Sequence, residues 1–318
     1  MEYRRMGASG LVVSAIGLGT NNFGGRLGLD GAREVVHAAL DAGITFIDTA
    51  DVYSAGVSEE YLGEVLTGVR DDVIIGTKFG GDLRSASGNN GEDWGARGSR
   101  RYIRRAVESS LRRLRTDWID LYQLHLPDPG TPILETLEAL NDLVREGKVR
   151  YVGHTNFSGF QIAHAEWTAR QAGLTRFVSS QNRYSLLVRD AERDVVPAVT
   201  EYRIGLIPHT PLAAGMLTGK YRRGEPAPAE SRIGRGYQYA RLTDEIFDTL
   251  DRVAGFADLH GLSMLEVAIG ALAAKPTVAS VIAGAMTAEQ VKANVRAAEW
   301  HPTAEQLTEL DAALAGSA

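Results

Sequence analysis

Ile119-Asp120-Leu121-Tyr122-Gln123-Leu124-His125 reads as a short buried strand, residues 132–145 follow with helical period, and Val149-Arg150-Tyr151-Val152-Gly153-His154 reads as a second strand. A strand, a helix and a further strand joined by short turns form one unit of a parallel sheet. The same alternation extends in both directions from this unit. Further strand candidates span 15–19, 44–48, 73–78, 177–181, 205–209 and 278–283, making eight with 119–124 and 149–154. Helical periodicity follows each of them, at 30–41, 58–67, 99–114, 132–145, 159–171, 190–201, 243–260 and 288–298. Eight such units over this length predict an α/β fold of the closed (β/α)8 TIM-barrel type.

Two additions lie outside the eight units. Residues 2–5 and 11–13, around Gly7-Ala8-Ser9-Gly10, read as an N-terminal β-hairpin, and 303–314 reads as an extra C-terminal helix. A further helical segment, 263–273, lengthens the seventh connection. The whole chain, 1–318, is expected to form one barrel domain. Two connections are long: 79–98, rich in Gly, Ser and Asn and carrying Trp94, and 213–241, rich in Arg, Gly and Pro. Both follow strands, so both belong to the C-terminal face of the barrel, where substrate is selected.

Composition narrows the classes of function. The 318 residues carry 34 Lys+Arg against 40 Asp+Glu, a formal charge of −6, which offers no basic footprint for nucleic acid or an anionic membrane. The absence of cysteine rules out thiolate nucleophiles, disulfides and Cys-ligated zinc. No run of about 18 apolar residues occurs, and the Arg4-Arg5 start lacks a cleavage site after its short apolar run, so a cytoplasmic location is expected. Homo-oligomerisation is left open.

In a barrel of this kind reacting groups sit at the C-terminal ends of strands. The second strand ends in Asp48 and leads to Tyr53, the third ends in Lys78, and the fourth leads to His125. Taken singly, each has a structural explanation: a turn cap, a snorkelling lysine, a packed phenol, a core imidazole. Taken together, an acid, a phenol, an ammonium and an imidazole lie at matching ends of consecutive strands about 4.8 Å apart, close enough to converge.

Phe46-Ile47-Asp48-Thr49-Ala50-Asp51-Val52-Tyr53, Gly76-Thr77-Lys78 and Leu124-His125 resemble the catalytic motifs of the aldo-keto reductases. The segments 147–157, 181–187 and 211–220 are similar to that family's later motifs, in the same order, in its bacterial and channel-β-subunit branch. The resemblance implies an NAD(P)H-dependent oxidoreductase that interconverts a small-molecule carbonyl (aldehyde, ketone or sugar) and its alcohol. Tyr53 would supply the proton, Lys78 and Asp48 would tune it, and His125 would orient the carbonyl. A phenol ordinarily titrates near 10, and the Lys78 ammonium is expected to lower that value.

The resemblance also implies a cofactor site. Asp48, Thr155, Asn156 and Gln181 would face the nicotinamide, Thr20 and Asn21 its ribose, and Pro211, Leu212, Gly215, Leu217, Gly219 and Lys220 the pyrophosphate. Gly284, Met286, Gln290 and Asn294 would lie at the adenosine end. His209 stands where the family usually stacks a larger aromatic ring on the nicotinamide, and Met286, Thr287 and Gln290 are uncharged where relatives carry Arg or Lys for a 2′-phosphate. NADP(H) is the first expectation and NAD(H) the second. Phe23, Tyr53, Trp94, His125 and His154 are the expected substrate contacts.

Two other readings stand beside this one. His125, His154 and His209 at three strand ends, with Asp48 nearby, would suit a metal-dependent barrel hydrolase or isomerase. A binding subunit that senses a nicotinamide cofactor with little turnover would carry the same motifs as the reductase.

Overall fold

A computed structural model describes residues 1–81, 96–237 and 241–315. Strands β1 (Tyr3–Arg5) and β2 (Val12–Ser14) pair antiparallel, with Tyr3 opposite Ser14, and form the expected N-terminal hairpin. The barrel strands are β3 (Ile16–Gly19), β4 (Phe46–Asp48), β5 (Ile74–Phe79), β6 (Ile119–Leu124), β7 (Val149–Thr155), β8 (Ser179–Arg183), β9 (Gly205–His209) and β10 (Val281–Gly284). They close in the order β10-β3-β4-β5-β6-β7-β8-β9, every adjacent pair parallel, as a (β/α)8 TIM barrel.

Strand alternation divides the apolar residues between two layers. Phe46, Leu121, Ile207 and Ile282 pack inside the barrel with Met6, Leu11 and Val13 of the hairpin segment, which closes the N-terminal end. The larger core lies between the barrel and the helices α1 (Leu29–Asp41), α2 (Val57–Val65), α3 (Arg100–Leu114), α4 (Ile133–Arg145), α5 (Gly159–Ala172) and α6 (Val195–Tyr202), with α8 (Met264–Ala273) and α9 (Ala288–Ala297), while α7 (Asp244–Leu259), which precedes α8, buries Phe247, Leu250 and Val253 in a separate apolar cluster. The extra helix α10 (Ala304–Ala315) packs against α7. Among the described residues no single helix is long and apolar enough to cross a membrane.

The sixth helix departs from the sequence expectation of 190–201. A 3-10 turn covers Asp190–Glu192, and α6 starts only at Val195. Pro197 accounts for the break: its ring would clash with the carbonyl four residues earlier in a continuous helix, so it is accommodated in a first turn. The sixth and eighth strands also begin later than their apolar runs, at Ser179 and Val281.

Candidate active site

The site is built at the C-terminal mouth of the barrel, where β4, β5 and β6 deliver Asp48, Lys78 and, one residue past the strand, His125. Lys78 is fully buried, and its ammonium donates to Asp48 Oδ2 at 2.6 Å, to the Thr49 carbonyl at 3.0 Å and to Tyr53 Oη at 3.4 Å. Tyr53 begins a 3-10 turn in which Ser54, Ala55 and Gly56 all have positive φ, at 51°, 57° and 95°. Ser54 Oγ ties this strained turn to the Phe23 carbonyl at 2.7 Å, which holds the phenol over Lys78. The Tyr53 and His125 rings meet edge to face, 6.1 Å between centroids. The four side chains expected to do chemistry therefore come together.

Charge is distributed unevenly among them. Burial alone would lower the Lys78 ammonium, but the Asp48 carboxylate and the Tyr53 hydroxyl more than compensate and raise it, so it stays charged. The Tyr53 phenol is raised above its ordinary value because burial outweighs the attraction of Lys78, the reverse of the direction the sequence suggested. Tyr53 is thus a protonated phenol at neutral pH. Burial, followed by the nearby Lys78 and His209 charges, lowers His125 to about 3, and its imidazole is neutral.

A cavity of about 650 Å³ opens above this group, lined by Asp48, Tyr53 and His125. Thr20, Asn21, Thr155, Asn156, Gln181 and His209 line it as well, Gln181 from the middle of β8 and the others at or just beyond the end of a strand. Pro211, Leu212, Gly215 and Lys220 continue the lining, with Gly284, Met286, Gln290 and Asn294. Gly215 has φ +87°, and a Cβ there would meet Lys220 Nζ at 2.6 Å, so the glycine leaves the space that the ammonium occupies. Thr287 caps α9 by accepting from the Gln290 amide, while Gln290 Oε1 accepts from the Met286 amide at 2.8 Å.

Five of the expected site residues that the structure describes do not line the cavity: Lys78, buried beneath Tyr53 and Asp48, and His154, Phe23, Leu217 and Gly219. His154 follows the opposite parity to Thr155 on β7, so its ring points out of the barrel; it is fully buried, stacked on Phe157 at 4.4 Å and against Phe177 at 5.1 Å. Phe23 is buried in the core between barrel and helices. Leu217 packs with Leu250 and Val253 in a separate apolar cluster, and Gly219, at φ +75°, ends the 3-10 segment Ala213–Thr218. Trp94 lies outside the described residues. The outward turn of His154 also removes the three-histidine constellation, and among the described residues no three His, Cys, Asp or Glu side chains are grouped to hold a metal ion.

The cavity gains residues that strand-end logic did not supply. Arg26, Arg232 and Arg235 line it, together with Glu230. Arg232 Nη2 donates to Asn21 Oδ1 at 2.9 Å and Asn22 Oδ1 at 3.3 Å, and Arg26 donates to the Glu230 carbonyl, so the 213–241 connection is fastened across the mouth. The arginine content of that connection was the one signal for Arg232 and Arg235. Arg26 had none.

The sequence profile described as the aldo/keto reductase family matches residues 15–315. The chain belongs to the aldo/keto reductase family. Similar proteins include a probable voltage-gated potassium channel subunit beta of Oryza sativa subsp. japonica, 34% identical over 95% of this chain and 92% of that one. L-glyceraldehyde 3-phosphate reductase of Escherichia coli (strain K12) is 34% identical over 93% and 87% of the two chains. Uncharacterized oxidoreductase YrpG of Bacillus subtilis (strain 168) is 35% identical over 94% and 91%. Family membership makes this aldo/keto reductase an oxidoreductase that uses a nicotinamide cofactor and acts on small molecules.

The chain's own residues fit such a cofactor. The cavity has the volume of a ligand site, lined by amide and hydroxyl groups together with Asp48, Tyr53 and His125, and by the cations Arg26, Lys220, Arg232 and Arg235. Lys220 is lowered by burial and by Arg26 and Arg232, the mark of like charges held together at a place suited to an anion.

Proposed function

We propose that this aldo/keto reductase reduces the carbonyl of an aldehyde, ketone or sugar with NADPH, Tyr53 being the proton donor. The observation that carries this reading is the buried Lys78 ammonium, held between Asp48 Oδ2 at 2.6 Å and Tyr53 Oη at 3.4 Å. When bound, the reduced nicotinamide supplies a hydride to the carbonyl carbon. His125 presents a neutral ring, and since its Nδ1 is buried without a partner among the described residues, Nε2 is the nitrogen that orients the substrate oxygen. The Tyr53 O–H bond breaks as the carbonyl oxygen takes the proton. The phenolate left behind is stabilised by the Lys78 ammonium, whose own charge Asp48 maintains, and solvent returns the proton. A phenol that is protonated at rest and loses its proton beside a fixed cation is suited to this step.

NADP(H) is favoured over NAD(H) by the cations on the fastened connection. Arg26, Lys220, Arg232 and Arg235 line one cavity with Glu230 as their nearby carboxylate, while Met286 and Gln290, which also line it, are uncharged. The 2′-phosphate is therefore read from the arginine side. Titration with NADPH and NADH, with aldehyde-dependent oxidation of each, tests both claims. Binding of neither would defeat the reading, equal affinity would remove the phosphate assignment, and tight binding with negligible turnover on a broad carbonyl panel would favour the cofactor-sensing alternative.

A further inference from the structure

Glu59, in the first turn of α2, is fully buried and bonds in two directions. Its Oε1 accepts from the Thr77 hydroxyl at 2.6 Å. Thr77 precedes Lys78 on β5 with the opposite parity, so its side chain leaves the barrel toward α2 where the lysine enters the mouth. Glu59 Oε2 accepts from Arg113 Nε at 2.7 Å, with Nη2 also 2.7 Å away. The carboxylate thereby fixes the guanidinium, in the last turn of α3, relative to the strand that delivers Lys78.

The same guanidinium meets the turn that delivers Tyr53. A Cβ on Gly56 would lie 2.8 Å from Arg113 Cδ and 2.9 Å from Nε, so the arginine rests on the backbone of the turn. Three successive residues there hold positive φ, two of them not glycine, and such a conformation persists only where its surroundings impose it. The bond from Ser54 Oγ to the Phe23 carbonyl is one such constraint. Arg113 against Gly56 is a second.

We propose that Arg113 is a positioning residue: its guanidinium, clamped by Glu59, seats the turn at Gly56 and so holds the Tyr53 hydroxyl at the Lys78 ammonium. Glu59 then refers both groups to one point, the ammonium through Thr77 and the hydroxyl through Arg113 and Gly56. The 3.4 Å between Tyr53 Oη and Lys78 Nζ is the distance this arrangement sets. A lysine at 113 would still neutralise Glu59 but could not lay a rigid plane against the turn. The inference rests on the reading of Tyr53 as proton donor.

The test measures carbonyl reduction with NADPH in Arg113→Lys and in the paired variant Glu59→Gln/Arg113→Met, which keeps no buried charge without a partner should the lysine variant not fold. Each is expected to lower kcat about tenfold or more, with KM for the carbonyl and NADPH affinity within about threefold of the wild type. The solvent deuterium isotope effect on kcat is expected to rise above the wild-type value, because proton transfer from a displaced hydroxyl becomes slower relative to the other steps. A residue that only supported the fold would lower the urea midpoint and leave kcat and the isotope effect of the folded protein unchanged, and that result overturns the proposal. Carbon-13 spectra of tyrosine-labelled protein without cofactor supply a second readout, the Tyr53 ring line being assigned by its loss in Tyr53→Phe. Both variants are expected to shift or split that line, and an unmoved line overturns the proposal. A shifted line together with full turnover in Tyr53→Phe defeats the donor reading and leaves the positioning in place.

Discussion

Gln181 Nε2 donates to Asp48 Oδ1 at 2.8 Å, a hydrogen bond between residues 133 apart in sequence. Asp48 ends β4 and Gln181 lies on β8, and these strands are diametrically opposed in the closed order, so the bond spans the mouth of the barrel. Lys78 takes the other carboxylate oxygen. Removing the amide in Gln181→Leu leaves a buried charged oxygen short of a donor, at a cost of about 1–3 kcal/mol. Urea denaturation is expected to show a midpoint shift of that size without a change in slope.

The Lys78–Asp48 pair is buried on both sides, so losing one partner costs more than losing both. Lys78→Met alone is expected to destabilise the fold by about 3–5 kcal/mol, and Asp48→Asn in the same chain to recover a large part of that. Additive effects in the double variant would show that the two charges do not depend on each other.

Tyr53→Phe removes the proposed proton donor and leaves the cavity wall in place. Turnover with a carbonyl substrate is expected to fall by about 10² or more, with NADPH affinity near that of the wild type. Undiminished turnover would show that the proton comes from another group.

Arg232 bridges Asn21 and Asn22 at the cavity and faces the same space as Lys220 and Arg26. In Arg232→Ala the affinity for NADPH is expected to drop about tenfold, the value of one charge-assisted hydrogen bond, while that for NADH changes little. Equal losses for both dinucleotides would place Arg232 away from the 2′-phosphate.

Acid stability follows from three imidazoles kept neutral mainly by burial: His125 and His154 titrate at about 3 and His209 at about 4. The unfolded chain binds these protons near pH 6.5, whereas the folded chain does not until pH 4 to 3. Stability is therefore fully present above about 6.5 and is lost as pH falls through this window. Each imidazole contributes a slope of about 1.4 kcal/mol per pH unit well below 6.5. His154 lies outside the cavity, so His154→Leu isolates one such contribution: its denaturation midpoint is expected to fall less steeply between pH 7 and 5. A parallel slope would contradict the assignment.

The sequence by itself determined the barrel and brought out the four side chains that the structure gathers at its mouth, Asp48, Tyr53, Lys78 and His125. Both are local properties: alternating periods of strand and helix, and polar residues at the ends of strands, are visible in a window of about ten residues. Pairings between distant parts of the chain were decided only by tertiary structure. Residue parity turned His154 outward although it ends the same strand as Thr155, and chain closure brought Gln181 to Asp48 and Arg232 to Asn21. Burial also set the direction of the Tyr53 shift, because desolvation depends on everything packed around the hydroxyl and not on the one neighbouring ammonium that the motif reveals.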